Sequence, residues 1–216
     1  MKTFLLLPLV LAAPVFAGTS AKQVVTPPPD NCATTWFAGA SVGYLTQLDE
    51  PFYTVHVGLT NTCWNPGGFN ISLFAEVGYT EKDSNATYHY TSQDYRHTVK
   101  FEEELTIVPV TLNVKFEHQI VGGLSAYFGG GLGMAWINMD ESITDTSLQS
   151  KKHVSASDSD WVFCAQIFAG LGYNVNPHFE IYAGGRWIYL ADPTLFGSKQ
   201  SINDDWLIEL GTRFKF

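Results

Sequence analysis

Charge is scarce in this chain. Only 15% of its 216 residues are Asp, Glu, Lys or Arg, and bases are the rarer sign, 12 against 21 acids for a formal −9. So acidic a chain is no nucleic-acid binder, which needs a basic face for phosphates. After residue 17 no apolar run approaches the roughly 20 residues of a membrane-spanning helix, which excludes a helical membrane protein. Among the six histidines, His89, His97 and His153 fall in polar stretches, His118 and His178 at turns, and only His56 within a strand on its inward side. No two share a strand face at metal-ligand spacing, and no metal, cofactor or catalytic residue is expected. Cysteine is down to three. Cys32 precedes the first strand and Cys63 follows the second, so an up-and-down meander puts both at one end. In an oxidising compartment a Cys32–Cys63 bridge is expected, free thiols being the alternative. Cys164 is left inside a strand as a small buried side chain.

What is present begins with an export signal. Lys2, the apolar run Phe4–Leu11 and the exit Val15-Phe16-Ala17 have the order of a secretory leader, residues 1–17; Pro8 and Pro14 interrupt it as a membrane helix. Residues 18–33, with Thr26-Pro-Pro-Pro29, have little core-forming material and read as an extended periplasmic lead-in.

From residue 34 a two-residue period recurs eight times. It is plainest in the last stretch, where Trp206, Ile208, Leu210, Thr212, Phe214 and Phe216 alternate with Glu209, Arg213 and Lys215. The same pattern sets Trp36-Ala38-Ala40-Val42-Tyr44, Tyr53-Val55-Val57-Leu59, Ile71-Leu73-Ala75-Val77-Tyr79, Val108-Val110-Leu112-Val114-Phe116, Leu124 to Trp136, Trp161 to Tyr173 and Phe179 to Tyr189 against rows richer in Gly, Ser, Thr and charge. Short turns at one end alternate with polar stretches at the other, read as loops near 46–51, 81–100, 139–160 and 191–203. The fold predicted is all-β, an eight-stranded antiparallel up-and-down transmembrane β-barrel.

Three features favour lipid outside over a soluble barrel. The apolar rows end in aromatics suited to a membrane interface, among them Trp36, Tyr44, Tyr79, Trp136, Trp161, Tyr173, Trp187, Trp206 and Phe216. The opposite rows make a poor hydrophobic core and a good polar lumen. Each strand has about the 9–11 residues that cross a bilayer at a tilt.

Trp36-Phe-Ala-Gly-Ala-Ser-Val-Gly-Tyr44, Phe74-Ala-Glu-Val-Gly-Tyr79, Val110-Thr-Leu-Asn-Val-Lys-Phe116, Gly170-Leu-Gly-Tyr173 and Gly184-Gly-Arg-Trp187 together resemble the OmpA-like family of eight-stranded outer-membrane barrels over the whole chain after the leader. The resemblance implies integral location in a bacterial outer membrane, contact with its lipid and lipopolysaccharide, and recognition of the C-terminal strand, ending on Phe216, by the outer-membrane assembly machinery. It implies no wall anchoring, because the family's peptidoglycan-binding domain is missing. Glu76, Lys115 and Arg186 fall where the family has a lumenal acid and two bases. The second acid expected before Tyr173 is replaced by Gly172, and Glu209 has the parity to stand in.

An eight-stranded barrel is filled by its own side chains, so Glu76, Lys115, Arg186 and Glu209 are expected to pair. Either they plug the lumen, or their rearrangement gates a narrow porin-like channel for small solutes. A lipid-deacylating enzyme of this shape would carry a Ser/His pair on an outer rim, and no His-x-Ser-Asn signature is present. The stretch Asn85–Tyr95, rich in Tyr, Ser and Asn, has the composition of an adaptable binding surface; a surface ligand at the loops is one expectation, a solvated cap without a partner the other.

Overall fold

The structure, a computed structural model, describes residues 34–63, 66–92, 95–146, 151–202 and 204–216. The expected leader, the lead-in and Cys32 lie outside the described residues. Eight long strands close into a barrel: β1 (Thr34–Leu45), β2 (Glu50–Asn61), β3 (Asn70–Ser92), β4 (Tyr95–Val121), β5 (Leu124–Thr146), β6 (Lys151–Asn176), β7 (Phe179–Leu190) and, after the two-residue strands β8 (Thr194–Leu195) and β9 (Ser198–Lys199), β10 (Asp205–Lys215). Each long strand pairs antiparallel with its neighbour, and β1 pairs with β10 to complete the ring. Closure leaves no free edge along the spanning part, as a strand in lipid requires.

The two-residue period decides which side chain faces where. Val55, Leu112, Leu132, Ile208 and Leu210 are each at least 60% exposed, and all stand on the outer face. Phe37, Lys115, Ile137, Glu180 and Leu207, on the other parity, are less than 2% exposed. Glu180 and Arg186 of β7 and Glu209 and Arg213 of β10 thus sit inside while leucines face out, the reverse of a soluble barrel. All nine aromatics expected at the membrane interface have outward parity. Trp136 stands opposite Trp161 and Trp187 opposite Trp206. Tyr44 and Tyr79 each donate a hydroxyl hydrogen bond to a carboxylate, Asp49 and Glu81, at the boundary where the rings turn polar.

Turns at one end are tight. Gly122, at φ 57, makes the two-residue turn that pairs Val121 with Leu124, a backbone that suits glycine. Glycines inside the strands serve the interior rings: a Cβ at Gly211 would enter the ring of Tyr182, and one at Gly170 or Gly184 would meet the hydroxyl of Tyr127.

Two expected loops are strands instead. Residues 81–92 and 95–106 pair without a break, as do 138–146 and 151–159, so β3–β6 rise past their neighbours as a four-stranded sheet. The reason is punctuation: neither 81–106 nor 138–160 contains a glycine or proline, and polar residues bathed on both faces keep their backbone bonds in the ladder. Within the expected loop 191–203, the described residues 191–202 carry a short hairpin. Phe196 and Gly197, both at positive φ, turn β8 into β9, and Leu195 is fully buried in the barrel mouth. Asp158 and Asp160 of β6 accept the N–H bonds of Phe196 and Thr194 and hold this hairpin inward. The stretch 46–51 reduces to the turn 46–49, tied by Asp205, which accepts from the N–H groups of Gln47 and Leu48 at 2.9 and 2.8 Å.

Lipid contact makes a definite demand on the outer face. Leu112→Arg, within the part of β4 below the raised sheet, is expected to cost about 2–4 kcal/mol in urea unfolding from lipid vesicles. A loss below about 0.5 kcal/mol, normal for a water-exposed sheet face, is the outcome to expect only if that row meets water.

Candidate functional site: the ion-paired interior

The interior is built in levels. At the mouth, beside the raised sheet, Leu45, Phe52, Ile107, Ile137, Val162, Ile188, Leu190 and Leu207 form an apolar layer capped by Leu195. The expectation of a polar lumen is corrected at this level. These residues have inward parity, and near this end both rows of the strands are apolar, a signal present in the sequence.

Below that layer Arg186 of β7 lies between two carboxylates. Its Nη1 donates to Glu76 and, at 2.9 Å, to Gln166 Oε1; its Nη2 donates to Glu209 Oε2 at 2.8 Å and Glu76 Oε2 at 3.2 Å. Gln166 turns its amide the other way, donating to Glu76 at 2.9 Å, Asn113 at 2.6 Å and Thr111 at 3.1 Å. Ser41 donates to Glu209 at 3.3 Å. Four strands therefore meet through one guanidinium, whose planar fork suits two carboxylates at once.

The fourth expected member, Lys115, belongs to a second network nearer the turn end. It pairs with Glu117, and its Nζ is 3.9 Å from Glu180. Glu180, fully buried, takes Arg213 at 2.8 Å and Lys215 at 2.6 Å. The sequence reading missed Glu117 altogether and placed Glu180, Arg213 and Lys215 only on the inward row. Their parity was the available signal, since each alternates with a lipid-facing neighbour. Between the networks lies a ring layer of Phe37, Phe74, Tyr127, Phe168 and Tyr182. Arg213 stacks over Phe37 at 4.7 Å and Arg186 over Phe168 at 5.5 Å, contacts that favour a desolvated cation. His56 is set among these rings, its Nδ1 3.9 Å from Glu76.

Formal charge balances across the levels. One base between two acids leaves the upper network negative by one; three bases about two acids leave the lower positive by one. The two cancel, and each charge has a partner, as burial in a narrow interior demands. A cavity of about 10 Å³, room for roughly one water, lies among His56, Glu76, Tyr127, Arg186 and Arg213. This arrangement ties β3, β6, β7 and β10 together across the interior.

Chemistry elsewhere is sparse. His118 and His178 bond backbone carbonyls, and His89 and His153 bond threonine hydroxyls. Glu81, Asp83 and Glu104 bring exposed carboxylate oxygens within 4.8 Å of one another at the foot of the raised sheet, the one such donor group among the described residues. Cys63 is disulfide-bonded and Cys164 is a free buried thiol; Cys32 lies outside the described residues.

Eight strands closed in chain order, an apolar outer band and an ion-paired interior define the class: a transmembrane β-barrel of the eight-stranded outer-membrane type. Among solved structures the fold is similar to a major outer membrane protein from Thermus thermophilus, at 12% identity over 85% of this chain and 100% of that one, with a TM-score of 0.53. The N-terminal β-barrel domain of Pseudomonas aeruginosa OprF matches 86% of this chain and 99% of its own at 18% identity and a TM-score of 0.42. The outer membrane enzyme PagL matches 82% and 97% at 13% identity and a TM-score of 0.43. No family model matches the sequence, and no curated protein matches it.

Removing Arg186 leaves Glu76 and Glu209 buried without a cation. Arg186→Ala is expected to cost about 3–5 kcal/mol of unfolding free energy in vesicles. Adding Glu76→Gln and Glu209→Gln to Arg186→Met recovers most of that loss, because no carboxylate is then left without its cation. Equal losses in both variants are the contrary result.

Proposed function

We propose that this chain is an integral protein of a bacterial outer membrane, set in its lipid and lipopolysaccharide, with a structural and surface-contact role and no enzymatic one. The single observation that carries the reading is the filled interior: two paired charge networks, a ring layer and an apolar layer stand in series along the axis. With the lumen occupied, the parts free to meet another molecule are those beyond the membrane, chiefly the raised sheet of β3–β6. Exposed structure carried on a rigid scaffold is where such proteins place their contacts.

A second reading is a narrow channel gated by the lumenal charges. It is favoured by the opposite surplus charges of the two networks, which would let a carboxylate exchange one cation for another. The apolar layer weighs against it, since exchange below leaves Leu45, Ile137, Leu195 and Leu207 still closing the mouth.

Planar-bilayer recording separates the two. The wild-type chain and Arg186→Ala are both expected to be electrically silent, whereas steady small openings that change in Arg186→Ala establish the channel. In parallel, replacing residues 84–97 by a short turn is expected to leave the barrel folded and to abolish capture of surface partners by intact cells. Undiminished capture removes the raised sheet from the account.

A further inference from the structure

The raised sheet is one-sided in a way that folding does not require. Pairing of β2 with β3 begins at Tyr53 and Tyr79, and pairing of β6 with β7 at Cys164 and Leu190. Beyond those points β3–β6 pair only with one another among the described residues. Their register runs on without a shift, so the parity that faces the lumen below faces, above, the space over the mouth. On that face Ala86 lies opposite Phe101, Phe101 opposite Ile143, and Ile143 opposite Val154. One apolar row thus crosses all four strands. Phe101, Ile143 and Val154 are 40%, 42% and 64% exposed, and Tyr88, on the same face, meets Phe101 edge-on at 5.7 Å. The opposite face carries Asn85, Thr87, Lys100, Glu102, Ser142 and Thr144 at the same heights. Lipid does not cover the apolar row, because lipid-facing side chains have the other parity. A contiguous apolar patch left in water marks a contact surface.

Charge says what kind. Directly beside the row, and on the same face, Glu103 stands opposite Glu141. Both are exposed, and neither has an ion-pair partner among the described residues. Like charges opposite each other on adjacent strands are destabilising, a cost that a cation arriving from outside removes. Ser84, Ala86, Phe101, Ile143 and the two glutamates, with Glu102 and Ser142 between them along the strands, line a groove of about 300 Å³. The row spans three inter-strand gaps, about 14 Å, the length of roughly ten residues of helix.

Resting on the surface-contact reading above, we infer that this inner face is a docking groove for a cationic, amphipathic polypeptide segment. Its apolar side lies on Ala86, Phe101, Ile143 and Val154, and its Lys or Arg side chains meet Glu103 and Glu141. An acidic partner is repelled. A strand adding to the open edge of β3 would bind through backbone and ignore the row, which the test separates.

The experiment titrates the full chain, in nanodiscs of zwitterionic phospholipid, with an amphipathic Leu/Lys peptide of about 12 residues and with its Leu/Glu counterpart. Empty nanodiscs are the reference, and methyl resonances are the local readout. Saturable binding of the Leu/Lys peptide is expected to shift the methyls of Ile143 and Val154 and leave lipid-facing Ile208 in place. Phe101→Ser with Ile143→Ser, and separately Glu103→Lys with Glu141→Lys, is expected to weaken binding about tenfold or more; these exposed positions leave the ladder intact. Equal binding by either double variant, or by the Leu/Glu peptide, overturns the inference. If cell-surface capture is lost on shortening 84–97 but survives in Phe101→Ser with Ile143→Ser, the surface role stands and this groove is not its means.

Discussion

In hydrocarbon no water replaces a missing N–H···O bond, and every other feature of this protein follows from that constraint. The ladder between β1 and β10, running from Phe37 opposite Lys215 to Leu45 opposite Leu207, is where the constraint is met last and where chain order returns on itself. Once the ring is closed, each residue has one of two environments and no third. Leu112, Ile208 and Leu210 go to lipid, and Glu180, Glu209 and Arg213 go inside. Interior composition is then a consequence of closure: a ring of eight strands leaves a space that its own side chains fill.

Filling that space with charge is tolerable only in balance. Glu76 and Glu209 share Arg186, while Glu180 is met by Arg213 and Lys215, so β7, β10 and β3 are tied across the axis and not only around the wall. The surplus of one network offsets that of the other, and the rings between them screen the pair from water. Above, the apolar layer packs against Leu195 of the β8–β9 hairpin.

Much of this was legible from parity. The alternation of Trp206, Ile208 and Leu210 with Leu207, Glu209 and Gly211 defines both faces of β10, and parity puts Glu76, Arg186 and Glu209 on one side, where the structure joins them. Lys115 shares that side, but parity carries no height along the axis, and height is what assigns it to Glu117 and Glu180. The raised sheet is hidden for a different reason: Glu81–Lys100 is polar, and polarity suggests a loop more loudly than the lack of Gly and Pro suggests a strand. The burial of Leu195 depends on Asp158 and Asp160 reaching back from β6, a tertiary contact with no local signature. The apolar layer at the mouth is visible in Leu45, Ile107, Ile137 and Leu207, once the inward row is read residue by residue and not as a composition.

The central claim is that two environments alternate residue by residue around a closed wall. Nitroxide side chains placed one at a time from position 206 to 214 of β10, in lipid vesicles, test it most directly. The account predicts high oxygen and low nickel-complex accessibility at 206, 208, 210 and 214, with both low at 207, 209, 211 and 213. Nickel accessibility along the even row would mean that those side chains meet water, and the barrel would not be a membrane barrel.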